Sequence, residues 1–322
     1  QEHLRVVERR PDGLIVRGAR GVGTQARYAN ELLCLTAPRP DLRPEEVVFF
    51  ATPVHADGIH LVCRQPLTPP NPEDHPLSPN WDEMDAIVVF DDVFIPWDRV
   101  FYLRSAQPAD PAFEAQLFQG AVGLGPWYVL VRMAVKAEVL LGLCAAITEA
   151  LGTTSQPLVQ MAMADAMVYL ETLRALIQAA EANPVRSPSG LAMPNPTMAL
   201  AARTFAIERY PSVLQHIREL CGPGLLMAPG QADLHNPDIG PHLHRYFVAH
   251  DEGAPERFRL LKLAWEYACD SFGSRQLLFE MYNVGSLATN KQRLASTYDT
   301  SSCVALAREL AGITGPAARS GG

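Results

Sequence analysis

Asp82-Glu-Met-Asp-Ala-Ile-Val-Val-Phe-Asp-Asp-Val-Phe-Ile-Pro-Trp-Asp-Arg-Val-Phe101 is where the chain changes character. Ile87 to Phe90 are β-branched or aromatic, the residues a buried strand prefers. Asp91-Asp92 is expected to interrupt that strand. Pro96 lacks a backbone donor, so pairing should stop there. The residues before this stretch read as strands and loops, and the residues after it read as helices.

Upstream, Arg10-Pro-Asp-Gly13 is a turn between two apolar runs, 4–8 and 13–17, and predicts a hairpin. Gly18-Ala-Arg-Gly-Val-Gly-Thr24 has the glycine density of a phosphate loop. No helix-forming run comes after it, so a dinucleotide fingerprint is rejected. Glycines on a strand also mark close backbone approach. Glu31–Thr36, Val47–Ala51 and Gly58–Cys63 read as further strands. The link from Ala37 to Glu46 carries three prolines, and the excursion from Gln65 to Pro79 carries six. Loops of that length are commonly functional. Strands without alternating helices exclude a doubly wound parallel sheet.

Downstream of Ser105–Pro111 the apolar period becomes helical. Helices are predicted over 118–151, 159–182, 197–220 and 256–272, with shorter ones over 274–283 and 302–312. Long amphipathic helices joined by short breaks read as a bundle. The organisation expected is α+β, with a β-barrel or sandwich domain over 1–104 and a helical bundle domain over 112–322.

The 322 residues carry a net charge of −8, which argues against nucleic acid or an anionic membrane as partner. No stretch approaches the roughly 18 apolar residues of a membrane span, and no signal-peptide pattern opens the chain. The six cysteines are widely spaced, so no CxxC-type metal pair exists, and reduced thiols in a cytoplasmic protein are expected. His242 and His244 fall roughly 200° apart on a helix and cannot share a metal there. Asp91 and Asp92 are expected on opposite strand faces, with turn formation and pairing to Arg99 explaining them. No metal ligand is assigned.

The stretch from Asp82 to Phe101 closely resembles a signature of the 4-hydroxyphenylacetate 3-monooxygenase large component, a family of reduced-flavin-dependent phenol hydroxylases with the acyl-CoA dehydrogenase fold. Gly273-Ser-Arg-Gln-Leu-Leu-Phe-Glu-Met-Tyr-Asn-Val-Gly285-Ser resembles a second block of that family, in which the segment around the last glycine binds flavin. The resemblance implies cofactor contacts at Asn283, Val284, Gly285 and Ser286. Ser286 stands where the family commonly has aspartate, which puts that side-chain contact in question. Arg275 could meet a phosphate or pair with an acidic neighbour. Gly222 and Gly224 resemble a glycine segment near the flavin pyrophosphate of a neighbouring subunit, and fit a helix C-cap equally well. Thr24 matches a threonine lying against flavin, or is a plain strand residue. Thr36 and Ala37 fall at the strand end that touches the substrate in the family, or at an ordinary hairpin loop.

The implied activity is that of the oxygenase in a two-component aromatic monooxygenase. FADH2 from a separate NAD(P)H:flavin reductase would react with O2 to a C4a-hydroperoxide, which hydroxylates a phenol ortho to its OH. A homotetramer or homodimer is implied. The family's phenol-binding arginine, tyrosine and histidine lie in an N-terminal helical domain expected before Gln1, so no catalytic residue is assigned here. Two other readings stand beside this one. A 4-hydroxybutyryl-CoA dehydratase-like enzyme would need iron–sulfur ligands near the first bundle helix, where Cys144 is alone. A non-catalytic partner subunit of the same fold is the other.

Overall fold

The computed structural model describes residues 3–36, 41–67, 71–106, 110, 113, 114, 117, 124–187, 190–248, 250 and 253–313. Strands come first. They are β1 (Arg5–Arg9), β2 (Gly13–Thr24), β3 (Glu31–Leu35), β4 (Val48–Pro53), β5 (Ile59–Cys63), β6 (Asp85–Pro96) and β7 (Val100–Leu103). They form an antiparallel four-stranded sheet in the order β1-β2-β6-β5 and an antiparallel three-stranded sheet in the order β3-β4-β7. Leu14, Val16, Val88, Phe90, Val93 and Ile95 of the first sheet share one core with Cys34, Val48, Phe50 and Leu103 of the second. Phe50 meets Phe90 edge to face at 5.9 Å between ring centroids, an arrangement that suits the ring quadrupoles.

β6 does not break at Asp91-Asp92. Ala86, Val88 and Phe90 are buried in alternation, Asp91 and Asp92 are both exposed, and Val93 and Ile95 are buried. Alternation would otherwise send Val93 and Ile95 to solvent. The extra residue is absorbed as a β-bulge: Val16 pairs with Val93 but Gly18 with Phe90. Asp92 takes φ +55° there, a conformation aspartate tolerates better than most residues. Its carboxylate pairs with Arg17 through two hydrogen bonds of 2.7 Å. Arg99, the expected partner, pairs instead with Glu31. Gly18 (φ +131°) is required at the bulge, because a Cβ would lie 2.7 Å from the His3 carbonyl oxygen.

Helices come next. They are α1 (Gly125–Ala150), α2 (Pro157–Ala182), α3 (Pro196–Cys221), α4 (Ala254–Ala268), α5 (Ser271–Tyr282), α6 (Leu287–Thr297) and α7 (Ser301–Leu310). Short helical segments at Gly224–Met227, Gln231–Leu234 and Gly240–Tyr246 link α3 to α4. The expected helix over 256–272 is two helices, α4 and α5. Asp270 parts them by accepting from the amides of Phe272 and Gly273 through one carboxylate oxygen, as a helix-starting residue does. A small hairpin, Val185–Arg186 with Ala192–Met193, occupies the break between α2 and α3. Among the described residues no helix is long and apolar enough to cross a membrane.

By its internal contacts the chain forms two compact units. One comprises Gln1–Gly123, Leu143–Gln160 and Leu214–Gln276, and the other Leu124–Gly142, Met161–Val213 and Leu277–Gly322.

Candidate cofactor and substrate sites

In the first unit, the acidic start of the quoted stretch is an ion-pair hub. Arg64 pairs with Asp82 and, at 3.0 Å, with Asp85. Arg275 grips Asp85 with two hydrogen bonds of 2.8 and 2.6 Å and reaches Glu83 with a third nitrogen. The Thr24 hydroxyl donates to Asp85 at 2.8 Å, and the Gln25 amide donates to Glu83. Burial pushes the Asp85 carboxyl up, but the donors Arg275, Thr24 and Arg64 outweigh it and hold the group at about 2. Two candidate cofactor residues, Thr24 and Arg275, therefore meet at one carboxylate. Arg275 is already engaged by two acidic side chains. Its two-pronged grip on Asp85 is the strong form of this pairing.

Gly222 has φ +55°, donates its amide to the Arg218 carbonyl at 3.0 Å and ends α3. That is a helix C-cap. Gly224 opens the next helical turn.

Thr36 lines a small cleft with Leu35, Val47, Val48, Tyr102, Glu114 and Leu117. Its hydroxyl accepts from Arg20 at 2.9 Å. Glu114 accepts from Tyr102 and pairs with Arg104. Burial first, and then the Glu114 carboxylate, raise the Tyr102 phenol to about 12. Ala37, the other candidate substrate residue, lies outside the described residues.

In the second unit, Asn283, Val284, Gly285 and Ser286 form the turn from α5 into α6. Val284 (φ +63°) and Gly285 (φ +101°) are both left-handed. At Gly285 an added Cβ would be strained by backbone conformation and would lie 3.2 Å from the Asn290 side-chain oxygen. Ser286 caps α6 by accepting the Thr289 amide. The Asn283 amide group donates to the Tyr128 hydroxyl at 3.1 Å.

Beneath this turn lies a set of groups that sequence reading missed. Arg203 of α3 is 0% exposed. One of its nitrogens donates to the carbonyl oxygens of Glu280 and, at 2.9 Å, Asn283. The Glu280 carboxylate is gripped by Arg132 (3.0 and 2.8 Å) and Lys136 (2.7 Å). Burial pushes Glu280 up, but Arg132 and Lys136 carry it below the ordinary carboxylate range. Burial lowers Arg203 to about 10. Asn290, also wholly buried, donates to the Gly285 carbonyl at 3.1 Å. The one signal in the sequence was a lone arginine inside the small-residue run Ala201-Ala-Arg-Thr204.

Among the described residues one group of metal-ligand type comes together, His75, Glu266 and Asp270. Glu266, 0% exposed, accepts the amides of Leu77 and Ser78. It thereby fastens the end of the proline-rich excursion to α4. Cys144 is buried and belongs to no such group among those residues.

Antiparallel sheets followed by a helical bundle, with a left-handed glycine turn pinned between helices, define a protein of the acyl-CoA dehydrogenase-like plan. Residues 1–102 match the family described as 4-hydroxyphenylacetate 3-hydroxylase N terminal, and residues 118–312 match 4-hydroxyphenylacetate 3-hydroxylase C terminal. The chain belongs to the 4-hydroxyphenylacetate 3-hydroxylase family. It is 33% identical over 285 residues to the oxygenase component of a 4-nitrophenol 4-monooxygenase/4-nitrocatechol 2-monooxygenase from Rhodococcus opacus, covering 87% of this chain and 52% of the relative. It is 33% identical over 296 residues to the 4-hydroxyphenylacetate 3-monooxygenase oxygenase component of Thermus thermophilus, covering 91% and 60%. The crystal structure of a 4-hydroxyphenylacetate 3-monooxygenase oxygenase component, complexed with FAD and 4-hydroxyphenylacetate, superposes with a TM-score of 0.89 at 30% identity, covering 96% of this chain and 64% of that one. The chain thus spans 52% and 60% of the lengths of the two curated relatives.

Proposed function

We propose that this chain is part of the oxygenase of a two-component aromatic monooxygenase, binding FADH2 delivered by a separate NAD(P)H:flavin reductase and hydroxylating a phenol beside its OH with O2. The observation that carries this reading is the family match over both segments of the chain. The cofactor-facing residues in this reading are Asn283, Val284, Gly285 and Ser286 in one unit, and Thr24, Arg275, Gly222 and Gly224 in the other. The 283–286 turn fits such a role, since its left-handed glycine leaves backbone amides uncovered by a side chain. Arg275 fits it through its grip on Asp85 and Glu83, which fixes the strand that carries Thr24's partner. The chemistry supplied by bound reduced flavin is activation of O2 for transfer of one oxygen atom to the ring. The chain's own residues bind, orient and shield. The substrate-binding residues in this reading are Thr36 and Ala37, and the Arg20-held Thr36 hydroxyl offers a polar contact beside apolar Leu35, Val47 and Val48. The β-rich segment 1–104 and the helical segment 112–322 act as the two domains of the oxygenase, assembled as a homotetramer or homodimer.

Anaerobic titration of the full-length protein with FADH2, followed by O2 and a panel of para-substituted phenols with a flavin reductase, tests this reading. Tight FADH2 binding and catechol formation are expected. A full-length protein that ignores FADH2 would overturn it.

A further inference from the structure

Arg203 uses its charge in an unusual way. A guanidinium with no exposed surface normally faces a carboxylate. The carboxylate in its neighbourhood, Glu280, is hydrogen-bonded to Arg132 and Lys136. Arg203 instead donates to two main-chain carbonyls at the end of α5, where a helix leaves its last acceptors unpaired and its dipole favours a cation.

Those two carbonyls decide where the neighbouring amides point. Continued helix would give the Glu280 carbonyl to the amide of Val284, four residues on. Arg203 occupies that carbonyl, and the chain leaves the helix at Val284 with φ +63°. In a trans peptide the C=O and N–H point in opposite directions. With the Asn283 carbonyl drawn inward by Arg203, the Val284 N–H is turned outward. With the Gly285 carbonyl drawn inward by Asn290, the Ser286 N–H is turned outward as well. Among the described residues neither amide has an acceptor. These two amides flank Gly285, whose own amide donates to the Tyr282 carbonyl at 3.1 Å, and outward main-chain amides about a left-handed turn make a concavity for an anion.

We propose that Arg203, with Asn290, is a positioning residue that presents the Val284 and Ser286 amides to an anionic group of the reduced cofactor. The proposal rests on the reading that the 283–286 turn contacts flavin. The group is either a phosphate or the anionic ring of the reduced flavin, and the two sources are separable by experiment.

The test is anaerobic titration of the full-length protein and its R203M, R203K and G285V variants with FADH2, FMNH2 and reduced riboflavin, beside thermal melting. Arg203→Met keeps the aliphatic packing and removes the donor. It is expected to weaken FADH2 binding about tenfold or more, the equivalent of one lost charge-assisted arrangement. Arg203→Lys, which can satisfy one carbonyl, should fall between Met and wild type, and carries the test if the Met variant fails to fold. A loss confined to FADH2 and FMNH2 assigns a phosphate, and an equal loss for reduced riboflavin assigns the ring. Wild-type affinity in R203M and R203K with loss in G285V would overturn the proposal and leave the reading of the turn intact. Unchanged affinity in all three variants would overturn both. A lower melting temperature without any change in affinity measured below it would show Arg203 to be structural only, and would also overturn the proposal.

Discussion

Two arginine clusters in this molecule solve opposite problems. Around Asp85, two arginines, Arg64 and Arg275, face three carboxylates, Asp82, Glu83 and Asp85. Around Glu280, Arg132 and Lys136 grip the one carboxylate, and a third cation, Arg203, lies within its field and donates to main-chain carbonyls. In the first, side chains neutralise side chains, and the result is a strut. In the second, cationic charge is in excess and is directed at backbone. An arginine's role is thus set by which acceptors remain for it. Where carboxylates are plentiful it braces, and where they are scarce it shapes the main chain.

The sharpest way to break this comparison is to remove the scarce carboxylate. Glu280→Gln removes the carboxylate that Arg132 and Lys136 grip at a position 1% exposed, and should cost roughly 3–5 kcal/mol, read as a lower urea midpoint. Asp85→Asn leaves Arg64 and Arg275 with Asp82 and Glu83 still in place, so a smaller loss of roughly 2–3 kcal/mol is expected in the same measurement. A larger loss at Asp85 than at Glu280 would break the contrast.

Acid unfolding sharpens it further. The Asp85 carboxyl sits at about 2 in the fold against an ordinary 3.8. Its folded value is depressed, so its contribution is complete above the ordinary value and is lost as pH falls towards the folded one. Wild type should therefore lose its margin over Asp85→Asn between about pH 4 and pH 2. A margin independent of pH would show that Asp85 acts through shape alone.

Thr24→Val removes one donor from the Asp85 hub and should cost about 1 kcal/mol. Asp92→Asn removes a pair whose side chains are about half exposed and should leave stability unchanged within error in the same denaturant series.

β2 and β6 were readable from their β-branched and aromatic runs, and the long helices from three- and four-residue apolar spacing, because burial selects those residues and that period. The bulge at Asp91-Asp92 was not, since two adjacent acids look like a break until the partner strand shows one residue opposite two. α6 was missed because it is polar, with Asn290 its one buried residue, so it carries no apolar stripe. In the candidate sites the glycine of the turn was visible, because left-handed backbone selects glycine. Arg203 was not, because its partners are carbonyls, which every residue has. The arginine partners of Asp85 lie 21 and 190 residues away, and no local pattern announces a pair that distant.

The Glu266 carboxylate holds the amides of Leu77 and Ser78 across a separation of 189 and 188 residues. During synthesis the exit of the proline-rich excursion has no such acceptor until most of the chain has emerged. All seven strands of the two sheets lie before Arg104, so their pairing needs only the first third of the chain, while this fastening waits for α4. Closing so long a loop adds only about 0.6 kcal/mol for each doubling of its length, so the delay costs time rather than stability. A nascent chain halted before Glu266 is therefore one that carries every strand of both sheets but lacks the acceptor for the Leu77 and Ser78 amides.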